Sequence, residues 1–420
     1  MPTPFAETRT AVIQDIIRLA RDKYVYPEVG EQIAAGLQDR LTDGIYDDVT
    51  REVDLAFRLT ADLRSIASDR HWSVTYDPHG TPEGVDPEDE PDQDRLARYL
   101  ELARQTNYGF ERVERLKGNV GYIDLRRFVP SEHAGETAVA AMNFVAHCDA
   151  LIFDIRQNHG GYPSMVQLIT SYLVDPEPQQ INSFYYRPTG ETQQFWTFPH
   201  VPGQRRPDIP VYVLTSSATG SAAEEFAYNL KHMERATLVG ETTVGAAHPV
   251  TKEVVQGCFD VRLPYGRPIN PLTGTNWERT GVAPHIAVPA EEALQTAHFH
   301  ALEQLAAACA DETARERLAW EVDIVAGDYA PVTLAEADLV RCAGTYGLRR
   351  FTVAEGALCY GHQKFPDTYP LLPMSATRFR LDEDMKFAFV LDEAGQATAV
   401  KVTYRDGRPE VVAERTGGSV

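Results

Sequence analysis

A serine at the mouth of a helix is the first residue in this chain with chemical promise. In Pro210-Val-Tyr-Val-Leu-Thr-Ser-Ser-Ala-Thr-Gly-Ser221-Ala-Ala-Glu-Glu-Phe-Ala-Tyr, a β-rich run gives way to a small-residue turn and then to a helix. Tyr212, Val213 and Leu214 favour a strand, the Thr, Ser and Gly residues from Thr215 to Gly220 break it, and Ala222, Phe226, Leu230 and Met233 recur at helical spacing. Ser221 then falls in the first helical turn. There the backbone N–H groups have no intrahelical partners and the dipole is positive, a setting able to hold an oxyanion. The same position suits a simple N-cap, so the turn alone admits two readings, nucleophile or cap.

A serine nucleophile needs a base within hydrogen-bond reach and a group that orients the base. His71, in Ser65-Ile-Ala-Ser-Asp-Arg-His71-Trp-Ser-Val-Thr-Tyr, lies between a helical and a strand-like segment and titrates in the physiological range. His248, in Gly245-Ala-Ala-His248-Pro, is an alternative base. Glu278, beside Trp277 in the loop from Asn270 to Pro284, offers a carboxylate to orient an imidazole. The apolar run Ala150-Leu-Ile-Phe-Asp154-Ile-Arg156 ends in Gln-Asn158-His159-Gly160-Gly161. Because glycine lets backbone approach a ligand closely, Gly160 or Gly161 could donate one oxyanion hydrogen bond and Ala222 the other. Asp154 and Arg156 read as a pair holding the strand end. Taken singly, the bland alternatives are a bonded loop histidine, a solvated glutamate and an ordinary turn.

The elements that must position these residues can be read from periodicity. Up to about residue 70 the apolar spacing is helical, through Ile13, Ile16 and Ile17, then Ile33 and Leu37, then Leu55, Leu59 and Leu63. A Pro-rich acidic run from Asp77 to Asp94 reads as a solvated loop, with the alternative of a gate over the site. Strands at 120–125, 150–155, 211–214 and 236–239, alternating with helices at 135–147 and 164–173, predict an α/β domain with a buried sheet. Beyond Ala326-Gly-Asp-Tyr-Ala-Pro, short alternating strands separated by turn residues predict a small β-barrel or sandwich. The expected domains are 1–76, 77–117, 118–326 and 327–420.

Composition narrows the function classes. At 420 residues and 43% hydrophobic, the chain suits two or three soluble globular domains. A net charge of −21 argues against nucleic acid or an anionic membrane as main partner. No run is apolar enough to span a bilayer, and Met1-Pro-Thr-Pro-Phe-Ala-Glu lacks a signal-like start, so a cytoplasmic location is expected. The five cysteines, Cys148, Cys258, Cys309, Cys342 and Cys359, are scattered and without CxxC spacing. They suit a reducing compartment, and neither a metal nor a cofactor is expected. Assembly into a homo-oligomer is left open.

Several segments resemble, in order, the tail-specific (C-terminal processing) serine peptidases, their tricorn-protease relatives and the modules of interphotoreceptor retinoid-binding protein. These are Gly118-Asn-Val-Gly-Tyr-Ile, Leu151-Ile-Phe-Asp-Ile-Arg-Gln-Asn-His-Gly-Gly, Ser221-Ala-Ala-Glu224-Glu-Phe, Leu238-Val-Gly-Glu-Thr-Thr-Val-Gly and Glu278-Arg-Thr-Gly-Val-Ala-Pro. The resemblance implies a crotonase-like α/β core (a ββα superhelix), an N-terminal helical cap, and Ser221 as nucleophile. The processing peptidases use a lysine base where this chain has Val244-Gly245-Ala246, so a Ser-Lys dyad is excluded there. The tricorn-like arrangement implies His71 and Glu278 instead, completing a Ser-His-Glu set. About forty residues separate Tyr76 from Gly118, too few for a PDZ module. The expected function is a serine hydrolase, a peptidase or amidase forming an acyl-enzyme on a peptide or small-molecule acyl substrate. The alternative is a non-proteolytic protein of the same fold that binds a hydrophobic small molecule or acts on a biosynthetic intermediate.

Overall fold

The computed structural model describes residues 4–80 and 92–417. Most of the acidic run, and with it the expected solvated or gating loop, lies outside them.

Two compact units divide the chain, one formed by Met1–Arg115 with Gly121–Leu294 and the other by Leu116–Val120 with Gln295–Val420. The first opens with helices α1 (Pro4–Lys23), α2 (Pro27–Thr42) and α3 (Glu52–Ala67). Ile13, Ile16, Ile33, Leu37, Leu59 and Leu63 turn inward and bury against Trp72. Each such side chain contributes about 1.5–3 kcal/mol. Pro27 opens α2 where its missing N–H has no intrahelical partner to lose. Ser68 closes α3 in the left-handed region at φ 50° and turns the chain toward Asp69 and His71. Strand β1 (Ser73–Tyr76) follows, then α4 (Asp92–Gln105), β2 (Phe110–Leu116), β3 (Val120–Leu125), α5 (Ser131–Phe144), β4 (Ala150–Asp154) and α6 (Pro163–Leu173). The hairpin β5 (Gln180–Tyr186) and β6 (Glu191–Trp196) precedes β7 (Val211–Thr215), α7 (Ala222–His232) and β8 (Thr237–Gly240). Strands β9 (Val250–Val255), β10 (Phe259–Pro264), β11 (Gly266–Ile269) and β12 (Ile286–Ala287) complete the unit.

The central sheet has the order β12-β8-β7-β4-β3-β2, with β4, β7, β8 and β12 parallel. Every residue of β3, β4 and β7 is buried. This is the pattern of strands covered on both faces, and it is why they read as continuous apolar runs. The carboxyl ends of β4 and β7 carry the Gly160-Gly161 loop and the Ser221 turn, the side on which open parallel sheets present ligand-binding loops. A smaller sheet, β1-β10-β9, supplies the second half of the site. Both of its pairings are antiparallel, with Ser73 opposite Arg262 and Pro264 opposite Val250. Strands β1 and β9 therefore start at the same end, which brings together the residues just before each, His71 and His248. A third sheet, β11-β5-β6, was not visible in the sequence pattern.

The second unit holds α8 (Ala293–Ala308), α9 (Glu312–Tyr329), α10 (Glu336–Cys342) and an antiparallel nine-stranded sheet, β13 (Gly344–Tyr346), β14 (Arg349–Ala354), β15 (Ala357–His362), β16 (Thr368–Pro370), β17 (Leu372–Pro373), β18 (Arg378–Arg380), β19 (Met385–Leu391), β20 (Ala397–Tyr404) and β21 (Val411–Gly417). Its order is β16-β15-β14-β13-β21-β20-β19-β18-β17. Phe351 of β14 nevertheless packs on Phe387 and Phe389 of β19, at ring separations of 5.3 and 5.0 Å. Strands distant in the sheet share one core, so the sheet wraps on itself. Helix α9, expected to fall almost wholly within the domain ending at residue 326, groups with this sheet. Arg405 reaches Glu321 and Arg380 reaches Asp328, fixing the helix to β18 and the end of β20.

Candidate active site

Ser221 stands between β7 and α7 with φ 56° and ψ −124°, a conformation that costs a non-glycine residue about 1–3 kcal/mol. The surroundings over-determine it. Thr219 Oγ1 donates to Ile155 O at 2.9 Å, Gly220 N donates to Asn158 O at 3.0 Å, and Ser221 N donates to Glu224 Oε2 at 2.9 Å. The side chain is exposed while its neighbours in α7 are buried. A strained, exposed serine at a strand-to-helix turn has the shape of a nucleophile elbow, and Ser221 also stands at the N-cap of α7 in a capping box with Glu224.

Glu224, fully buried, organises the turn. Its carboxylate accepts from Ser221 N, Thr243 Oγ1 (2.5 Å), Gly245 N (2.7 Å) and Ala246 N (2.9 Å). Burial nonetheless dominates and pushes its carboxyl above the usual range, with those bonds opposing. The Ser-x-x-Glu spacing of Ser221 and Glu224 is a capping-box signature that was legible in the sequence.

The glycine pair packs directly on the turn. A Cβ on Gly160 would lie 2.6 Å from Ser221 Cβ and 2.9 Å from Ala222 N, and φ at Gly160 is 104°. Gly160 N–H is committed to Asn158 Oδ1 at 2.8 Å, so it is not available to an oxyanion. Among the described residues, neither Ala222 N–H nor Gly161 N–H has a hydrogen-bond partner. Of the three expected oxyanion donors, Ala222 and Gly161 stay open and Gly160 does not. Asp154 and Arg156 pair at 2.6 Å, and Arg156 also donates to Ala290 O.

Asp69, which the sequence reading passed over, is the centre of the other half. It is completely buried and accepts from four donors: His71 N (2.9 Å) and His71 Nδ1 (3.0 Å) on Oδ1, and His248 Nδ1 (2.9 Å) and Tyr24 OH (3.0 Å) on Oδ2. A carboxylate offers about four lone-pair positions, so Asp69 is saturated and both imidazoles carry their proton on Nδ1. Burial would raise the Asp69 carboxyl, but the two histidines together hold it far below the usual range. Glu278 was the expected orienting group. It stands 3.8 Å from His71 Nδ1 and 3.6 Å from His248 Nδ1, beyond hydrogen bonding, because its Oε2 accepts Ala247 N at 2.8 Å. Asp69, two residues before His71 in the same loop, is the carboxylate that hydrogen-bonds both imidazoles.

The two histidines differ in access. His248 is wholly buried, and its Nε2 has no partner. The His71 side chain keeps 16% of its exposure. Burial lowers the His71 pKa, but the hydrogen bond and charge of Asp69, then the charges of Glu278 and Glu224, outweigh burial and leave it raised. The segment from Gly245 to His248 links the two halves: Gly245 N and Ala246 N donate to Glu224, Ala247 N donates to Glu278, and His248 Nδ1 donates to Asp69. Asp69, His71, His248 and Glu278 each offer one ligand atom, all within 4.8 Å, so the cluster has the donor set to hold a divalent cation. The hydrogen bonds of Asp69 account for the arrangement without one.

Residues 119–288 match the model of peptidase family S41, and residues 4–107 match the N-terminal domain of that family described for eukaryotic interphotoreceptor retinoid-binding protein. The chain carries peptidase family S41 domains. The S41 chain is 28% identical over 184 residues to the carboxy-terminal processing protease CtpB of Bacillus subtilis (strain 168), covering 43% of this chain and 36% of that protein. It is 29% identical over 170 residues to the carboxyl-terminal-processing protease of Picosynechococcus sp. (strain ATCC 27264 / PCC 7002 / PR-6), covering 39% and 37%. It thus spans little more than a third of the length of these relatives. A crystal structure of mature CPAF aligns with a TM-score of 0.49 at 13% identity, covering 77% of this chain and 99% of that one. Among the described residues, no helix is long and apolar enough to cross a membrane.

Proposed function

We propose that this S41 chain is a serine peptidase or amidase that works through an acyl-enzyme. The observations that support the reading are a strained, exposed Ser221 at a strand-to-helix turn and a partly exposed His71 whose Nδ1 is held by Asp69. Ser221 Oγ attacks the acyl carbon, and its proton passes to His71 Nε2. The oxyanion accepts from Ala222 N–H and Gly161 N–H, and His71 then protonates the leaving amine. Water repeats the sequence to release the acid. Asp69 holds the tautomer and stabilises the imidazolium, while Glu278 adds its charge at 3.8 Å. His248 is a positioning residue that helps fix the Asp69 carboxylate. The finer fold reading, a crotonase-like core, is part of this proposal. It is supported by the run of parallel strands with α6 and α7 between them.

A fluorophosphonate probe tests the proposal without knowledge of the substrate. Labelling of the intact chain at Ser221, abolished in Ser221→Ala and in His71→Ala, is the expected outcome. A folded chain that takes up no label refutes it.

A further inference from the structure

We infer that Arg267 recognises a carboxylate of the substrate, either an Asp or Glu side chain or a free C-terminus, on the Tyr26 side of the His71–His248 pair. The inference rests on the peptidase reading above.

Arg267 lies in β11 directly opposite Tyr185 of β5. Its guanidinium carbon is 5.7 Å from the centre of the Tyr185 ring and 5.1 Å from that of Tyr26. Tyr26 meets His248 edge-on at 5.5 Å, and the His248 ring is 5.8 Å from that of His71. The arginine is therefore three short steps from the base.

Stacking engages the faces of a guanidinium and leaves its five N–H donors in the plane, where a carboxylate binds in bidentate fashion. Among the described residues nothing accepts from them. Arg267 forms no ion pair and no hydrogen bond, and its Nε is buried without a partner. Arg9, Arg349 and Arg415 also have an unmatched Nε, but each donates through its terminal nitrogens. A buried donor left unmatched costs about 1–3 kcal/mol. In a chain with 61 acidic and 40 basic residues, acceptors are abundant, and none is placed here. Nearby Arg187 gives its donors to the carbonyls of Arg21 and Tyr24, not to a carboxylate, so its charge adds to a local positive field. The tyrosines hold the fork rigid, and the ligand supplies the acceptor.

The test uses the full chain carrying Ser221→Ala and three pools of fluorescein-labelled random decapeptides, read by fluorescence polarisation. One pool ends in a free carboxylate and lacks Asp and Glu, one ends in carboxamide and contains Asp and Glu, and one has neither. Bulk charge disfavours the two acidic pools, so a preference for them reports a site. At least one acidic pool is expected to bind tenfold or more tighter than the neutral pool, and which one does identifies the source of the carboxylate. Adding Arg267→Gln should reduce that ratio to within twofold. Should that variant not fold, as judged by its melting transition, Arg267→Lys decides, because an ammonium cannot bind as a fork and most of the preference should still be lost. Equal binding of all three pools, or a preference that survives substitution of Arg267, overturns the inference. Fluorophosphonate labelling of the unsubstituted chain reads the peptidase proposal separately, so the two can fail independently.

Discussion

Replacing Asp69 by Asn is the sharpest perturbation of the site, because Asp69 is saturated by four donors. An asparagine accepts on one side and donates on the other. If its amide nitrogen faces His71, Nδ1 must give up its proton, Nε2 gains one, and the base is gone. If it faces His248 and Tyr24, the His71 tautomer survives but the negative charge does not. A unit charge about 4 Å from the imidazolium is worth about 4 kcal/mol at an effective dielectric of about 20. At about 1.4 kcal/mol per decade, that alone is roughly 10³-fold. The tautomer error carries the loss to about 10⁴-fold. Glu278→Gln removes a charge but hydrogen-bonds neither imidazole, so its loss stays at least tenfold smaller. The assay is the second-order rate of fluorophosphonate labelling at pH 8, with melting transitions as a check on folding. Retention of more than a tenth of the rate in Asp69→Asn, or an equal loss in Glu278→Gln, would refute the assignment of Asp69 as the orienting group.

Other expectations follow from the same geometry. The labelling rate should rise with pH as His71 loses its proton, with a midpoint above the ordinary 6.5; Glu278→Gln removes a charge that favours the imidazolium, so a pH profile should show that midpoint moving down. Gly160→Ala should abolish labelling, since its Cβ would meet Ser221 Cβ at 2.6 Å and the backbone around it; an active, labelled variant would count against the placement of the loop. Glu225 is fully buried, and burial raises its pKa from 4.5 to about 7, with Asn182 and Asn229 opposing. The folded chain holds that proton up to about pH 7 while the unfolded chain loses it near 4.5, so Glu225 removes about 3 kcal/mol of stability as pH rises between those values. Denaturant titration should find Glu225→Gln more stable than the parent by up to that amount at pH 8 and equal to it at pH 4. Chelation with EDTA should leave labelling intact. Added Zn²⁺ should suppress it reversibly, because a metal on Nδ1 of His71 puts the proton on Nε2.

The parts of this site that follow from local chain geometry were legible in the sequence, and the parts set by distant pairing were not. The strand at 211–214, the break up to Gly220 and the helix after Ser221 depend on neighbours within a few residues, and they predict a strand-turn-helix with Ser221 at its mouth, as nucleophile or cap. The buried strands β3 and β4 were equally plain, because residues covered on both faces are apolar throughout. The choice between His71 and His248 was beyond such reasoning, since it turns on the antiparallel pairing of β1 with β10 and of β10 with β9. That sheet brings residues 179 positions apart onto one carboxylate and buries one imidazole more deeply than the other. Asp69 was hidden for the same reason. Two positions before a histidine, an aspartate reads as a turn residue, and only the arrival of His248 and Tyr24 at its second oxygen makes it the hub. Glu278 drew attention instead because it lies among motif residues. The backbone N–H of Ala247 draws its carboxylate aside, so its influence on His71 is that of a nearby charge and not of a hydrogen-bonded orienter. A motif can thus name the carboxylates near a base, but which of them holds the tautomer is decided by how many donors the fold brings to each.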